Sequence, residues 1–175
     1  ISNDVTRPNK TIAINIIGNV ALFEGTNFSP YLDPVMKLLF SAAQLGFNLG
    51  ENIDEDLIEF VKSLRYELLQ TFTSIELTFN SNENNILTPY IKDIFEFIKS
   101  CVSDTKIQNI EILKSILALL IDLFGIYGTQ FKELCNENFV AAFIKLIQGY
   151  FTNKKMDSEI ESNIDLLKSY FIPKN

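Results

Sequence analysis

The chain has 175 residues, with 22 acidic side chains against 15 basic ones, no His, no Trp and two Cys. Its hydrophobic fraction of 47% excludes a disordered chain, because that much apolar surface can offset the entropy lost on ordering. The lack of His excludes His-dependent metal sites and catalytic triads. A net charge of −7 argues against nucleic-acid binding, which needs clustered Lys and Arg. We therefore expect basic protein partners, no metal and no cofactor.

The two cysteines, Cys101 and Cys135, form no CxxC motif. Isolated thiols in a Cys-poor chain favour a reducing compartment over a disulfide framework. The chain opens at Ile1 without Met or a recognisable signal peptide, so we expect a piece of a longer intracellular protein. No uncharged apolar run approaches the ~20 residues that a membrane span requires, and no membrane insertion is expected.

The first predicted helix covers residues 10–24. Ile12, Ile14 and Ile16 alternate as they would in a strand, but the wider window favours a helix. In that window a helix would have one apolar stripe on its surface, formed by Ile12, Ile16, Val20 and Phe23. The β-branching of Ile lowers helix propensity only slightly, so the periodicity decides.

Six further helices follow along the chain. The clearest covers residues 54–79, where apolar side chains keep a 3.6-residue period for about six turns. The other five cover residues 34–45, 89–102, 106–127, 138–151 and 157–172.

Prolines and short linkers separate these helices. Ser29-Pro30 and Thr88-Pro89 each predict a capping hydroxyl followed by a proline at the first helical position. The linkers are short and rich in Asn or Gly, which predicts antiparallel neighbouring helices; they cover residues 25–28, 46–52, 80–85 and 152–155.

Two short motifs recur. Residues 29–35, SPYLDPV, return as TPYIKDI at 88–94, and residues 25–28, GTNF, return as GTQF at 128–131. If two hairpins separate the second pair, the mean period is about 51 residues, near the 40–47 residues of HEAT and armadillo units. We predict one all-α domain over 1–175, an α-α superhelix (HEAT/armadillo-like solenoid) of about three and a half hairpins. The hairpins would cover about 9–46, 54–103 and 106–151, with a terminal helix at 157–172.

These segments resemble a known family. Residues 16–22, with Gly25, Phe28 and residues 31–32 after them, are similar to the C-terminal HEAT repeats of the importin-β (karyopherin) nuclear import receptors. The similarity continues through residues 57–79 and 120–123 to Gly128 and Phe131, and covers about residues 8–172. Asn19 stands where the family pattern prefers Asp, and we expect it to have a structural role.

The resemblance implies a transport receptor of nuclear import and no enzymatic activity. Such a receptor would bind the basic helix of an importin-α adaptor, or cargo with a basic nuclear localisation signal. It would contact Phe-Gly nucleoporins and release its cargo when GTP-bound Ran GTPase binds, mainly through N-terminal repeats. The implied location is the cytoplasm, the nucleus and the pore of the nuclear envelope.

In solenoids of this kind the second helix of each hairpin lines the concave side. The candidate partner-binding residues there are Asp33, Phe40 and Gln44 on or beside the second helix, and Asp93 and Glu96 on the fourth. Carboxylates three or four positions apart project together and can accept charge-assisted hydrogen bonds from Arg or Lys. An ordinary solvated helix surface is the alternative interpretation.

Asp122 and a set of aromatic residues are expected to have structural roles. Asp122 lies within an apolar helix, where we expect it to anchor a hydrogen bond between repeats. Six aromatic residues are expected in the core, a minority of them lining shallow grooves for nucleoporin Phe side chains: Phe95, Phe97, Phe124, Phe139, Phe143 and Phe151.

Two other functions stay open at this point. One is a HEAT scaffold of another assembly, such as another karyopherin or a phosphatase scaffold. The other is a helical enzyme or apolar-ligand carrier with a pocket among the Phe-rich helices. An enclosed, ligand-sized cavity would favour the second of these.

Overall fold

The computed structural model describes residues 6–46, 54–79, 86–152 and 155–171, and within these ranges it contains helices and no strands. The chain has seven α-helices in these ranges: α1 (Arg7–Glu24), α2 (Leu32–Ala43), α3 (Glu55–Phe79), α4 (Ile91–Ser103), α5 (Ile110–Leu134), α6 (Glu137–Tyr150) and α7 (Ser158–Ser169). Each lies within a few residues of a predicted helix. The largest difference is at α5, which continues beyond the predicted end at residue 127.

The predicted hydroxyl caps are wrong. Ser29 lies in the short 3-10 helix Gly25–Tyr31, and Thr88 lies in the short 3-10 helix Thr88–Tyr90. Neither hydroxyl caps a helix. The residues that directly precede α2 and α4 form no side-chain cap either. Asx side chains cap four other helices, because their oxygen atoms reach the free backbone N–H groups of the first turn. These caps are Asp54 for α3, Asn109 for α5, Asn136 for α6 and Asp157 for α7.

The recurring GTxF motif has the same backbone at both of its sites. Gly25 has φ 57° and ψ −134°, and Gly128 has φ 49° and ψ −118°. Side chains rarely adopt such a positive φ, so glycine permits the break that ends α1 and kinks α5. Three residues later Phe28 and Phe131 are both buried. The repeat found in the sequence therefore corresponds to a repeated conformation.

Close contacts divide the chain into two compact units, Ile1–Gln108 and Asn109–Asn175. The first has 14 acidic and 8 basic residues, and the second has 8 acidic and 7 basic. Almost all of the net negative charge therefore belongs to the first unit. The expected single domain of 1–175, with hairpins at 9–46, 54–103 and 106–151 and a helix at 157–172, stays a prediction. Residues 47–52 and 80–85 of the predicted linkers, residues 153 and 154 of the last linker, and residue 172 lie outside the described residues.

The core of the first unit centres on α3, against which α1 packs along most of its length. Gly18 makes this approach possible, since a Cβ there would lie 3.3 Å from the Cα of Thr71 and from the side chain of Ser74. Thr71 also donates a hydrogen bond to the Ile14 carbonyl at 2.9 Å. The buried face of α1 carries Ile14, Gly18 and Ala21, whereas the apolar stripe seen in the sequence is exposed: Ile12, Ile16, Val20 and Phe23.

The core of the second unit is built on α5, which packs against α7 and α6. Phe124 lies at its centre, 1% exposed, with its ring 4.8 Å from that of Phe131 and 5.3 Å from that of Tyr170. The Phe171 ring meets Phe124 edge-on at 5.2 Å. These rings fix the end of α7 to α5.

Candidate partner-binding groove

Four of the five predicted partner-binding residues surround one small groove between α2 and α4. Its volume is about 160 Å³. Phe40 and Gln44 line it on one side, and Asp93 and Glu96 on the other. Ala43, Phe97 and Ser100 complete the lining. The two helices belong to different predicted hairpins, so their contact brings together side chains that are 49 to 56 positions apart in sequence.

The fifth residue, Asp33, joins α2 to the short 3-10 helix Thr88–Tyr90 that precedes α4. The Tyr90 hydroxyl donates a hydrogen bond to Asp33 Oδ1 at 3.1 Å, and Lys37 Nζ lies 2.6 Å from Asp33 Oδ2. The hydrogen bond from Lys37, and then that from Tyr90, lowers the pKa of Asp33 below its ordinary value. The Tyr90 ring is 6.5 Å from that of Phe40. Asp33 therefore lies beside the groove rather than in its lining.

The floor of the groove is aromatic. Phe40 is half-buried, and its ring lies 5.6 Å from that of Phe72, which meets Phe97 at 5.8 Å. Phe72 and Phe97 are buried, so the Phe40 ring has a fixed support. An aromatic face held in place beside carboxylates can bind a cationic side chain, since the ring quadrupole attracts the cation.

The three carboxylates of this surface differ in how far they are neutralised. Asp33 pairs with Lys37, and Glu96 pairs with Lys99 at 2.6 Å, each on its own helix. Asp93 forms no ion pair with any residue that the structure describes. Surface ion pairs of this kind contribute little energy and exchange partners readily. Asp93 is therefore the carboxylate most available to an incoming Arg or Lys.

Asn19, predicted to be structural, connects α1 to α3 through a neighbour. Its Nδ2 donates to Asn15 Oδ1 at 2.9 Å, and Asn15 Nδ2 donates to Glu67 Oε2 at 2.9 Å. All of these atoms lie near the surface, so the chain of hydrogen bonds adds specificity to the α1–α3 contact more than stability.

Asp122 is half-buried on α5, and its carboxylate accepts no hydrogen bond from the described part of the chain. The hydrogen bond between repeats that the sequence led us to expect is not observed there and stays a prediction. Burial raises the pKa of Asp122 above its ordinary value. The folded chain thus disfavours the charged form of this group.

The Asp122→Asn variant is expected to be more stable than the parent chain at neutral pH. Because the pKa of Asp122 is raised in the folded state, its carboxylate lowers the stability of the parent chain. This loss of stability is absent below the ordinary carboxyl pKa and is complete once the pH has risen through the folded pKa. The gain should therefore vanish at about pH 3, where the acid is protonated in both states. Urea unfolding at the two pH values measures it, with Asp165→Asn, an exposed acid, as control. A loss of stability at neutral pH would instead indicate a hydrogen bond to the carboxylate.

The expected aromatic core is largely observed. Phe95, Phe97, Phe124 and Phe143 are buried, whereas Phe139 and Phe151 are half-buried. Both cysteines are buried free thiols, and burial raises the pKa of Cys101 and of Cys135 to about 12. Because the thiolate is the reactive form, these side chains are inert parts of the core.

Sequence reasoning missed a buried ion pair. Arg65 is 2% exposed, and its Nη2 lies 2.8 Å from Asp104 Oδ2. The only signal in the sequence was a charged residue inside the apolar stripe of α3, between Leu64 and Leu68. Its partner follows α4, 39 positions later, which no helical period indicates.

Two larger cavities lie elsewhere on the described part of the chain. One, of about 360 Å³, lies between the starts of α1 and α3 beside Arg7 and Phe60, and the other, of about 480 Å³, lies between α6 and α7. In the described ranges no helix is both long and apolar enough to cross a membrane. The same ranges hold no group of three Cys, Asp or Glu side chains that could bind a metal ion.

The helices, the recurring Gly break and the groove between consecutive second helices define a helical-repeat protein of the α-α superhelix class. Residues 1–148 match the family model described as "Importin subunit beta-1-like, TPR repeats". The chain belongs to this importin-β, or karyopherin, family. Both the all-α solenoid class and the family expected from the sequence are thereby confirmed.

Curated relatives agree with the family model at low identity. Importin subunit beta-1 of Arabidopsis thaliana is 27% identical over 138 residues, which cover 78% of this chain and 16% of the relative. Importin subunit beta-1 of Schizosaccharomyces pombe is 25% identical over 145 residues, 82% of this chain and 16% of that protein. The chain thus spans about a sixth of the length of these relatives. No solved structure matches it significantly.

Proposed function

We propose that this chain is part of a nuclear import receptor and that its α2–α4 groove binds the basic helix of an importin-α adaptor or of cargo with a basic nuclear localisation signal. The observation that carries the proposal is the meeting of Phe40, Gln44, Asp93 and Glu96 around one groove. An ordinary solvated surface would not require side chains from two hairpins to converge on an aromatic floor.

The size and charge of the groove support a single cationic side chain as the anchor. A volume of about 160 Å³ suits one long side chain and not a whole helix. The carboxylates at the rim would accept charge-assisted hydrogen bonds from a guanidinium or ammonium group, and Phe40 would contact its face. The remainder of the basic helix would lie across α2 and α4, attracted by the net negative charge of the first unit.

The wider role follows from the family as part of the same proposal. The receptor would move between cytoplasm and nucleus through the pore by touching Phe-Gly nucleoporins. Ran GTPase would release its cargo, acting mainly on repeats other than these. The function is binding and not catalysis. A scaffold in another assembly would use the same fold, but it would give no reason for an acidic groove with an aromatic floor.

The test is a titration of a fluorescent Arg/Lys-rich helical peptide against the 175-residue chain at low and high salt. We expect binding that weakens with salt, because exposed charges are screened within a Debye length of about 10 Å at 0.1 M. Asp93→Lys should weaken binding about tenfold, since one attraction becomes a repulsion. Glu96→Lys should have a smaller effect, because Glu96 already pairs with Lys99.

The matched control is Glu133→Lys, which makes the same change of charge at an exposed acid outside the groove. It should leave the affinity within about twofold of the parent chain. Equal affinities for the parent chain and the Asp93 and Glu96 variants would reject the groove as the binding site. An affinity independent of salt would reject the electrostatic mechanism.

A further inference from the structure

The cavity between α6 and α7, at about 480 Å³, is larger than the α2–α4 groove and the cavity between α1 and α3. The proposed function makes no use of it. Its floor is apolar, formed by Val140, Ala141 and Ile144 of α6 and by Phe171 just after α7. Lys145 and Lys168 also line it. We propose that this groove, called here the α6–α7 groove, binds a short amphipathic helix that places a large apolar side chain next to acidic residues.

The walls of the α6–α7 groove are held firmly. Phe171 packs edge-on against Phe124 at 5.2 Å, and the ammonium of Lys132 lies 5.6 Å from the centre of its ring. Val140 and Ile144 are anchored in the core of the second unit. A groove between fixed helices loses little entropy when a side chain enters it, which favours binding. Its volume is within the range of about 300–1,000 Å³ that is typical of ligand sites.

The lysines determine which apolar segment fits. Lys145 is exposed and forms no ion pair within the described part of the chain. Lys168 pairs only loosely with Asp165, at 3.3 Å between exposed side chains. A carboxylate from a partner can therefore bind either ammonium group without breaking a strong contact. An uncharged segment would leave this attraction unused, and a basic one would be repelled.

The charges along α6 also give the groove a direction. Glu137, which lines the other end, lies two turns before Lys145, about 12 Å along the helix axis. Along α6, a partner carboxylate is repelled by Glu137 and attracted by Lys145. In a bound helix, acidic and apolar residues three or four positions apart lie on one face and match this arrangement. The α6–α7 groove is thus suited to acidic ligands, whereas the α2–α4 groove is suited to basic ones.

Three fluorescent peptides with the same Leu and Phe positions test the inference, with Glu, Gln or Lys at their charged positions. Fluorescence anisotropy with the 175-residue chain should show binding of the Glu peptide, weaker binding of the Gln peptide and the weakest binding of the Lys peptide. Lys145→Glu should weaken binding of the Glu peptide about tenfold. Ala141→Trp, which fills the groove from an exposed position, should weaken binding of all three.

Lys155→Glu is the matched control, since it reverses an exposed lysine that does not line the groove. Binding of the Glu peptide that is unchanged by Lys145→Glu would overturn the proposal. So would equal or tighter binding of the Gln or Lys peptide. Light scattering adds a separate check: a dimer that Ala141→Trp dissociates would show that a second copy of the chain occupies the groove. That outcome would also overturn the proposal.

Discussion

Phe124→Ala is expected to lower the free energy of unfolding by about 4 kcal/mol, which falls within the usual range for removing a buried aromatic ring. Phe124 is 1% exposed, and its ring contacts those of Phe131, Tyr170 and Phe171 at 4.8 to 5.3 Å. Truncation would remove all three aromatic contacts and leave a cavity that fixed helices cannot close. Urea unfolding followed by circular dichroism measures the loss.

The control for this prediction is a phenylalanine in the same chain with the opposite environment. Phe23 is 88% exposed, so Phe23→Ala should change the stability by no more than about 0.5 kcal/mol. Similar losses for the two variants would mean that Phe124 is not a packing centre. Because Phe171 forms one wall of the α6–α7 groove, Phe124→Ala should also weaken peptide binding there.

Asp104→Ala is expected to cost about 3 kcal/mol, because it removes a carboxylate that pairs with an almost wholly buried arginine. Arg65 Nη2 lies 2.8 Å from Asp104 Oδ2, and the two side chains are 2% and 28% exposed. The charge that remains would stay in a poorly solvated position. Thermal or urea unfolding measures the effect.

A double-mutant cycle measures the interaction energy between Arg65 and Asp104 apart from their other contacts. Arg65→Met together with Asp104→Ala should cost less than the sum of the single changes, since loss of the Asp104 carboxylate carries no penalty once the Arg65 charge is gone. The exposed pair of Lys114 and Glu111, 3.3 Å apart, is the matched control, and Glu111→Ala should cost no more than about 0.5 kcal/mol. Additive effects at Arg65 and Asp104 would contradict a coupled pair.

Local patterns in the sequence were sufficient to predict the helices. A 3.6-residue apolar period is a property of neighbouring residues, and α3 follows it almost to the residue. The GTxF repeat was noticed in the sequence as a recurring motif, and the structure shows that both copies share a positive φ at their glycine, Gly25 and Gly128. The hydroxyl caps failed because Ser29-Pro30 and Thr88-Pro89 form 3-10 helices, whose geometry no single motif specifies.

The candidate site was predicted only in part. Choosing polar positions on the second and fourth helices identified residues that do line one groove, since helical spacing indicates which side chains share a face. It could not show that Asp33 and Glu96 pair with lysines of their own helices while Asp93 does not. Rotamers and the packing of neighbouring helices decide such pairings.

The sequence alone thus determined the α-helices, which follow from local periodicity, and the repeat and the excess of acid, which can be read directly from the residues. Only the tertiary structure decided which apolar faces are covered, as the exposed stripe of Ile12, Ile16, Val20 and Phe23 demonstrates. It also joined Arg65 to Asp104 and formed the α6–α7 groove. The reason is physical: burial and ion pairing depend on which helices meet in space, and periodicity along one helix carries no information about its neighbours.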